Sequence, residues 1–240
     1  MSISRRSLLG VLGAFGAVAV APALGQSTSR MRIGVIGAGW LGGTVGRLWV
    51  LAGHDVMFSS RNPDELLAMT RPLGSRASAG TPQQAAEYGD ILLFAVPYAA
   101  LPQLGRDLRV ALSNKIVLDA CNPPPGTDNP LSAEAERNGV GRTSMKYLPG
   151  TRLVRAFSAV DATAVEASSK RTSGKLGVPI AGDDDDAVQV AARLVQDAGC
   201  EAVIVGDLAA ATRFQRGSPG FRANTTAREL RRLIGLAAIN

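Results

Sequence analysis

The chain has 240 residues, of which 46% are hydrophobic and 19% charged, a composition that excludes extended disorder and is long enough to bury a core in one or two domains. The formal charge is +6, but the basic residues are scattered and form no stripe with aromatics between them, which argues against nucleic acid as a partner. One histidine and two cysteines give a zinc site no support, and no metal is expected.

Residues 1–26 read as a leader. Ser4-Arg5-Arg6-Ser7-Leu8-Leu9 precedes a Gly/Ala/Val/Leu run that ends at Ala21-Pro22-Ala23, the pattern of a twin-arginine (Tat) signal peptide. The run is too short and too rich in Gly and Ala for a confident membrane span, which needs roughly 20 strongly apolar residues. Cleavage is expected near Ala23 or Gly25, leaving a periplasmic protein with no stable membrane span. The Tat route exports folded proteins, which suits an enzyme that acquires a nucleotide before it leaves. Cys121 and Cys200 fall on different elements, and two buried free thiols are the simpler expectation.

From Met31 onward, short apolar strands alternate with amphipathic helices, the pattern of βαβ units and a parallel sheet. Strands are predicted over 32–37, 55–59, 91–96, 115–119, 154–160, 178–181 and 202–205. Helices are predicted over 41–52, 63–70, 82–88, 99–112, 187–198 and 226–236. The predicted division is a nucleotide-binding domain over 31–150 and a short C-terminal α/β extension over 151–240 that continues the same sheet and completes the acceptor site. The apolar face of the last helix suggests a homodimer contact.

The first strand, Arg32-Ile33-Gly34-Val35-Ile36, runs into Gly37-Ala38-Gly39-Trp40-Leu41-Gly42 and then a helix. A strand, a glycine turn and a helix in that order form the dinucleotide fingerprint of a Rossmann-type, doubly wound α/β fold. Gly37 permits the turn, Gly39 lets backbone approach the pyrophosphate, and Gly42 allows helix to pack on strand. The helix N-terminus offers N–H groups and partial positive charge to the phosphates. Trp40 either covers the nicotinamide or simply packs, and Leu41 belongs to the same turn.

The second strand discriminates between NAD and NADP. NAD sites end it with an acidic residue for the ribose 2′-hydroxyl, whereas this chain has Ser59-Ser60-Arg61-Asn62. Two hydroxyls and a permanently charged guanidinium suit a 2′-phosphate, so NADP(H) is the expected cofactor. The alternative is that Ser60 and Arg61 only cap the helix starting near Pro63. Val96 and Pro97 end a buried strand at the carboxyl edge, where ligands bind. Asn122, ending the next strand, is either a partner for the nicotinamide carboxamide or a turn residue before Pro123.

These residues resemble the NADP oxidoreductases that act on a deazaflavin coenzyme, a fold shared with the Steap metalloreductases and the N-terminal domain of pyrroline-5-carboxylate reductases. The resemblance runs through the GAGWLG turn, the SSR end of the second strand, AVPY, CNP and Val154-Arg155-Ala156-Phe157, then on to Gly217-Ser218-Pro219. It implies that the glycines and the Ser/Arg pair hold NADP and that hydride passes directly between nicotinamide and acceptor, with no catalytic acid or base. Ser158 departs from the Asn common in such relatives, and the export leader argues against a deazaflavin acceptor.

His54 sits at the edge opposite the expected site, and Asp183 to Asp186 precede a helix whose N–H groups they suit as caps. The expected function is hydride transfer between NADP(H) and a flavin-like or other small-molecule redox acceptor. The alternatives are a non-catalytic nucleotide-binding or redox-partner protein, and a carbonyl or imine reductase. The last usually carries a long helical domain, for which the residues after Gly150 leave little room.

Overall fold

The computed structural model describes residues 30–126 and 128–237; the leader pattern lies outside them. Eight strands form one sheet: β1 (Arg32–Ile36), β2 (Asp55–Ser59), β3 (Ala77–Gly80), β4 (Ile91–Phe94), β5 (Ile116–Asp119), β6 (Arg152–Arg155), β7 (Gly177–Gly182) and β8 (Glu201–Gly206). Their order is β3-β2-β1-β4-β5-β6-β7-β8, and every pairing is parallel except β6 with β7. The chain winds outward from β1 to β3, then crosses back to β4 on the other side of β1. That reversal opens a crevice between the carboxyl ends of β1 and β4.

Among the described residues ten helices cover the two faces: α1 (Trp40–Leu51), α2 (Leu67–Thr70), α3 (Pro82–Tyr88), α4 (Leu101–Asp107), α5 (Arg109–Leu112), α6 (Pro130–Asn138), α7 (Val140–Tyr147), α8 (Ala162–Ser169), α9 (Asp185–Asp197) and α10 (Ala227–Leu233). Because both faces are covered, β4 reads as an unbroken apolar run and β5 as one up to Asp119, instead of alternating. Trp49, Phe58, Phe157 and Val195 fill the core on one side, and Phe94, Tyr98, Leu101 and Leu148 fill it on the other.

The predicted strand 55–59 and helix 82–88 match β2 and α3 in full. Thr81 caps α3 in a reciprocal box with Gln84. The predicted strand 154–160 is instead Arg152–Arg155, because Phe157 turns the chain through a left-handed conformation, φ 58°. Strand β3 escapes sequence reading because Ala-Ser-Ala-Gly has no β-branched or aromatic residue; it exists by pairing with β2 at the sheet edge. Helices α6, α7 and α8 also form where no helix is predicted, α6 starting with Pro130 behind the Asn129 cap. Helix 99–112 divides at Leu108, and 63–70 opens as a tighter 3-10 turn.

Residues beyond 150 extend the same sheet through β6, β7 and β8. The apolar side of α10 packs within the protein, where Ala227, Leu230 and Ile234 are buried beside Phe214. Asp184 caps α9 by accepting from the Ala187 N–H at 2.8 Å and also takes the Arg152 fork. His54 is buried at the amino edge, its Nδ1 accepting from the Met31 N–H and its Nε2 3.0 Å from Asp197. Among the described residues no helix is long and apolar enough to cross a membrane.

Candidate nucleotide site

The turn after β1 has the geometry the glycines imply. Gly37 has φ +96°, and a Cβ there would lie 2.6 Å from the Ala95 carbonyl oxygen, so only glycine fits without strain. A Cβ on Gly42 would strike the Gly37 carbonyl oxygen, and helix α1 thus lies close on the strand. Gly39 is different: its φ is ordinary, and a Cβ would meet nothing within 4 Å. Its bareness keeps space open on the ligand side. Helix α1 has no side-chain cap and no acidic residue in its first turn, so its N–H groups and positive dipole end are left for an anion.

A cavity of about 590 Å³ lies over this turn. Of the predicted residues it is lined by Gly37, Gly39, Ser59, Ser60, Arg61, Val96 and Pro97, while Trp40, Leu41, Gly42 and Asn122 stand outside its lining. Trp40 is 71% exposed, so it packs against little in this state. The Ser59 hydroxyl is buried and donates to the Val35 carbonyl at 2.8 Å, so it serves the sheet. The Ser60 hydroxyl accepts from the Asn62 N–H at 3.0 Å, shaping the turn that presents Arg61. Arg61 itself is exposed and has no hydrogen-bond or ion-pair partner among the described residues.

Sequence reasoning missed the opposite wall, which includes Leu66, Pro82, Ala100, Gln103 and Leu104. The turn before α2 and the starts of α3 and α4 carry it, and no local motif marks them. Among the described residues Arg61 and Glu65 are the only ionisable ones in the lining, both at the β2 end. Near the other end, Tyr98 is turned inward against Ser144, and burial raises its pKa. Burial likewise pushes the Cys121 thiol up, and its Sγ is 3.4 Å from the Phe94 carbonyl oxygen. Asn122 is fully engaged: its amide donates to the Ser158 carbonyl at 2.6 Å, and its oxygen accepts from Arg155 at 3.1 Å.

The donor set fits an extended dinucleotide phosphate. An uncapped helix end with an open glycine suits the pyrophosphate, and an unpaired guanidinium one strand away suits a 2′-phosphate. Residues 32–123, from β1 to the loop after β5, match the family model described as NADP oxidoreductase, coenzyme F420-dependent. Over residues 32–123 the chain is similar to an NADP oxidoreductase domain. Its cofactor is NADP(H).

The nucleotide-binding domain and its extension share their fold with solved structures. A hypothetical protein of Sinorhizobium meliloti is 25% identical, with a TM-score of 0.68 over 82% of this chain and 96% of that one. A protein of Arthrobacter sp. FB24 assigned as an F420-dependent NADP reductase is 22% identical, with a TM-score of 0.63 over 75% and 87%. A pyrroline-5-carboxylate reductase of Coxiella burnetii is 16% identical, with a TM-score of 0.54 over 73% of this chain and 58% of that one. No curated protein matches the sequence.

Proposed function

We propose that the protein transfers a hydride between NADP(H) and a flavin-like ring acceptor, using the cavity to position the two and no side-chain acid or base. The observation that carries this reading is the lining itself: its ionisable groups cluster where the 2′-phosphate would sit, and the wall near Val96 and Pro97 is apolar. When bound, NADP(H) supplies the hydride, the acceptor gains it with a proton from water, and NADP⁺ remains. The α1 end and the Gly39 backbone would bind the pyrophosphate, Arg61 would hold the 2′-phosphate, and Val96 and Pro97 would exclude water from the ring.

A carbonyl or imine reductase needs a proton donor at the ring end, and a separate substrate domain is usual for such enzymes. Here Tyr98 and Cys121 are buried with raised pKa values, and β6 to β8 extend the sheet. We further propose that Arg5-Arg6 and the apolar run behind them direct Tat export, so the enzyme acts in the periplasm on an acceptor other than a cytoplasmic deazaflavin.

The test is NADPH oxidation followed at steady state with riboflavin, a soluble quinone and a ferric chelate. Turnover with riboflavin supports the reading. NADPH binding without turnover of any of the three would make it a nucleotide-binding protein instead.

A further inference from the structure

The carboxyl ends of β5 and β6 are joined by a buried polar knot that the proposed hydride transfer does not yet use. Arg155 and Asp119 form an ion pair at 2.6 Å, with side chains 1% and 0% exposed. The same guanidinium nitrogen donates to the Cys121 carbonyl at 2.7 Å, and the other terminal nitrogen donates to Asn122 Oδ1. Asp119 also accepts from the Cys121 N–H at 2.9 Å. One fork therefore fixes three successive features of the loop after β5. After Arg155 the chain turns left-handed at Phe157, and the Ser158 carbonyl accepts from the far end of the Asn122 amide.

This arrangement is an expensive way to gain stability alone. A buried ion pair repays its desolvation only with good geometry, and a well-packed apolar pair of similar volume often stabilises as much. Arg155 Nε and Ser158 Oγ are moreover buried without a hydrogen-bond partner among the described residues. What the fork supplies is direction: a planar guanidinium orients an amide and a carbonyl that a lysine, a single point charge, cannot orient together.

The place of Asn122 gives that direction a use. Along the sheet edge, Arg61 ends β2, the glycine turn ends β1, and Val96 and Pro97 follow β4. A cofactor with its 2′-phosphate at Arg61 and its pyrophosphate over the turn would carry its ring toward β4 and β5, where Asn122 stands. We propose that Arg155 is a positioning residue for hydride transfer, holding Asn122 and the loop after β5 so that the nicotinamide ring is fixed against its acceptor. The proposal rests on the hydride-transfer reading above. It predicts that the knot governs ring alignment and turnover, while affinity for NADPH is set by Arg61 and the glycine turn.

The variants are Asn122→Ala, Arg155→Lys and their combination. Each is measured for NADPH dissociation constant, fluorescence anisotropy of the bound reduced nicotinamide, turnover with riboflavin, and thermal unfolding. The expected result is an NADPH affinity within about twofold of the parent, a lower nicotinamide anisotropy and a turnover down about 10- to 100-fold, the scale of a misplaced reacting group. The double variant should be no slower than the worse single one, because both break the same connection. If Arg155→Lys does not fold, Asn122→Ala decides by the same readings. Unchanged anisotropy and turnover in Asn122→Ala, or an affinity that falls in step with turnover, would overturn the proposal. If the parent itself reduces no acceptor, the hydride-transfer reading fails, but the anisotropy of bound NADPH still tests the positioning role.

Discussion

Trp49 Nε1 donates to the Leu194 carbonyl at 2.7 Å, tying α1 to α9 across the face of the sheet. The indole is fully buried and meets Phe157 edge-on, with ring centroids 5.9 Å apart. This contact joins the nucleotide-binding half to the C-terminal extension. Trp49→Phe keeps a ring but removes one of two donors to the Leu194 carbonyl, which still accepts from the Ala198 N–H at 3.1 Å, so it should cost roughly 0.5–1.5 kcal/mol in urea unfolding. A loss well under that range would mean the two halves do not depend on this bond.

Gly37 and Gly39 should respond differently to alanine. At Gly37 the left-handed backbone and the Ala95 carbonyl oppose a side chain, so Gly37→Ala should lower stability on the order of 1–3 kcal/mol. At Gly39 a methyl group meets no protein atom, so Gly39→Ala should melt like the parent. Its NADPH affinity should nevertheless drop about tenfold or more, as the methyl occupies the pyrophosphate's approach. Titration calorimetry beside thermal melts separates the two effects.

Arg61 is the cavity's lone cation and is unpaired among the described residues. Removing a charged hydrogen bond to a phosphate is worth about 1.5–3 kcal/mol. Arg61→Ala should therefore raise the NADPH dissociation constant roughly 10- to 100-fold and leave NADH unaffected. Equal weakening of both nucleotides, or of neither, would remove Arg61 from the 2′-phosphate.

The Asp184 carboxyl has its pKa lowered from 3.8 to about 2, chiefly by the Arg152 hydrogen bonds and then by the Ala187 N–H. A depressed carboxylate adds stability above its unfolded pKa and loses it as pH falls through the folded one. Asp184→Asn should thus melt below the parent at neutral pH, and the gap should close between about pH 4 and 2. A gap that stays constant with pH would show that only the N-cap hydrogen bond matters.

Cys121 and Cys200 are both free and buried, and burial raises the Cys200 pKa from 9.0 to about 11. Neither should react with a thiol reagent at neutral pH until the protein unfolds, when two thiols appear. Since its folded pKa is raised, the Cys200 contribution is whole below about pH 9 and is lost as pH rises toward 11. Cys200→Ala should flatten the alkaline fall in melting temperature over that window.

Where the reading rests on neighbours in sequence, it survives folding well. The glycine turn, β2 and α3 are each set within a few residues, by positive φ, apolar run or capping box. Asn122 shows where such reading ends. Its place at the end of β5 is legible, but its partners Arg155 and Ser158 lie more than thirty residues on. Ser59 likewise looks equivalent to Ser60 in sequence, and only the parallel pairing with β1 turns its hydroxyl into the sheet.

By itself, the sequence determined a strand, a glycine turn and a helix in the order of a dinucleotide fingerprint, and a cation where NAD sites usually end the second strand with a carboxylate. These are local features, because backbone conformation and charge at a turn depend on the residues of that turn. The tertiary structure alone decided that Pro82 and Gln103 complete the cavity wall, that β7 runs against β6, and that Arg155 reaches back to hold Asn122. Each of these depends on which distant segments share an edge or a face of the sheet, and hydrophobic periodicity carries no record of partners so far along the chain.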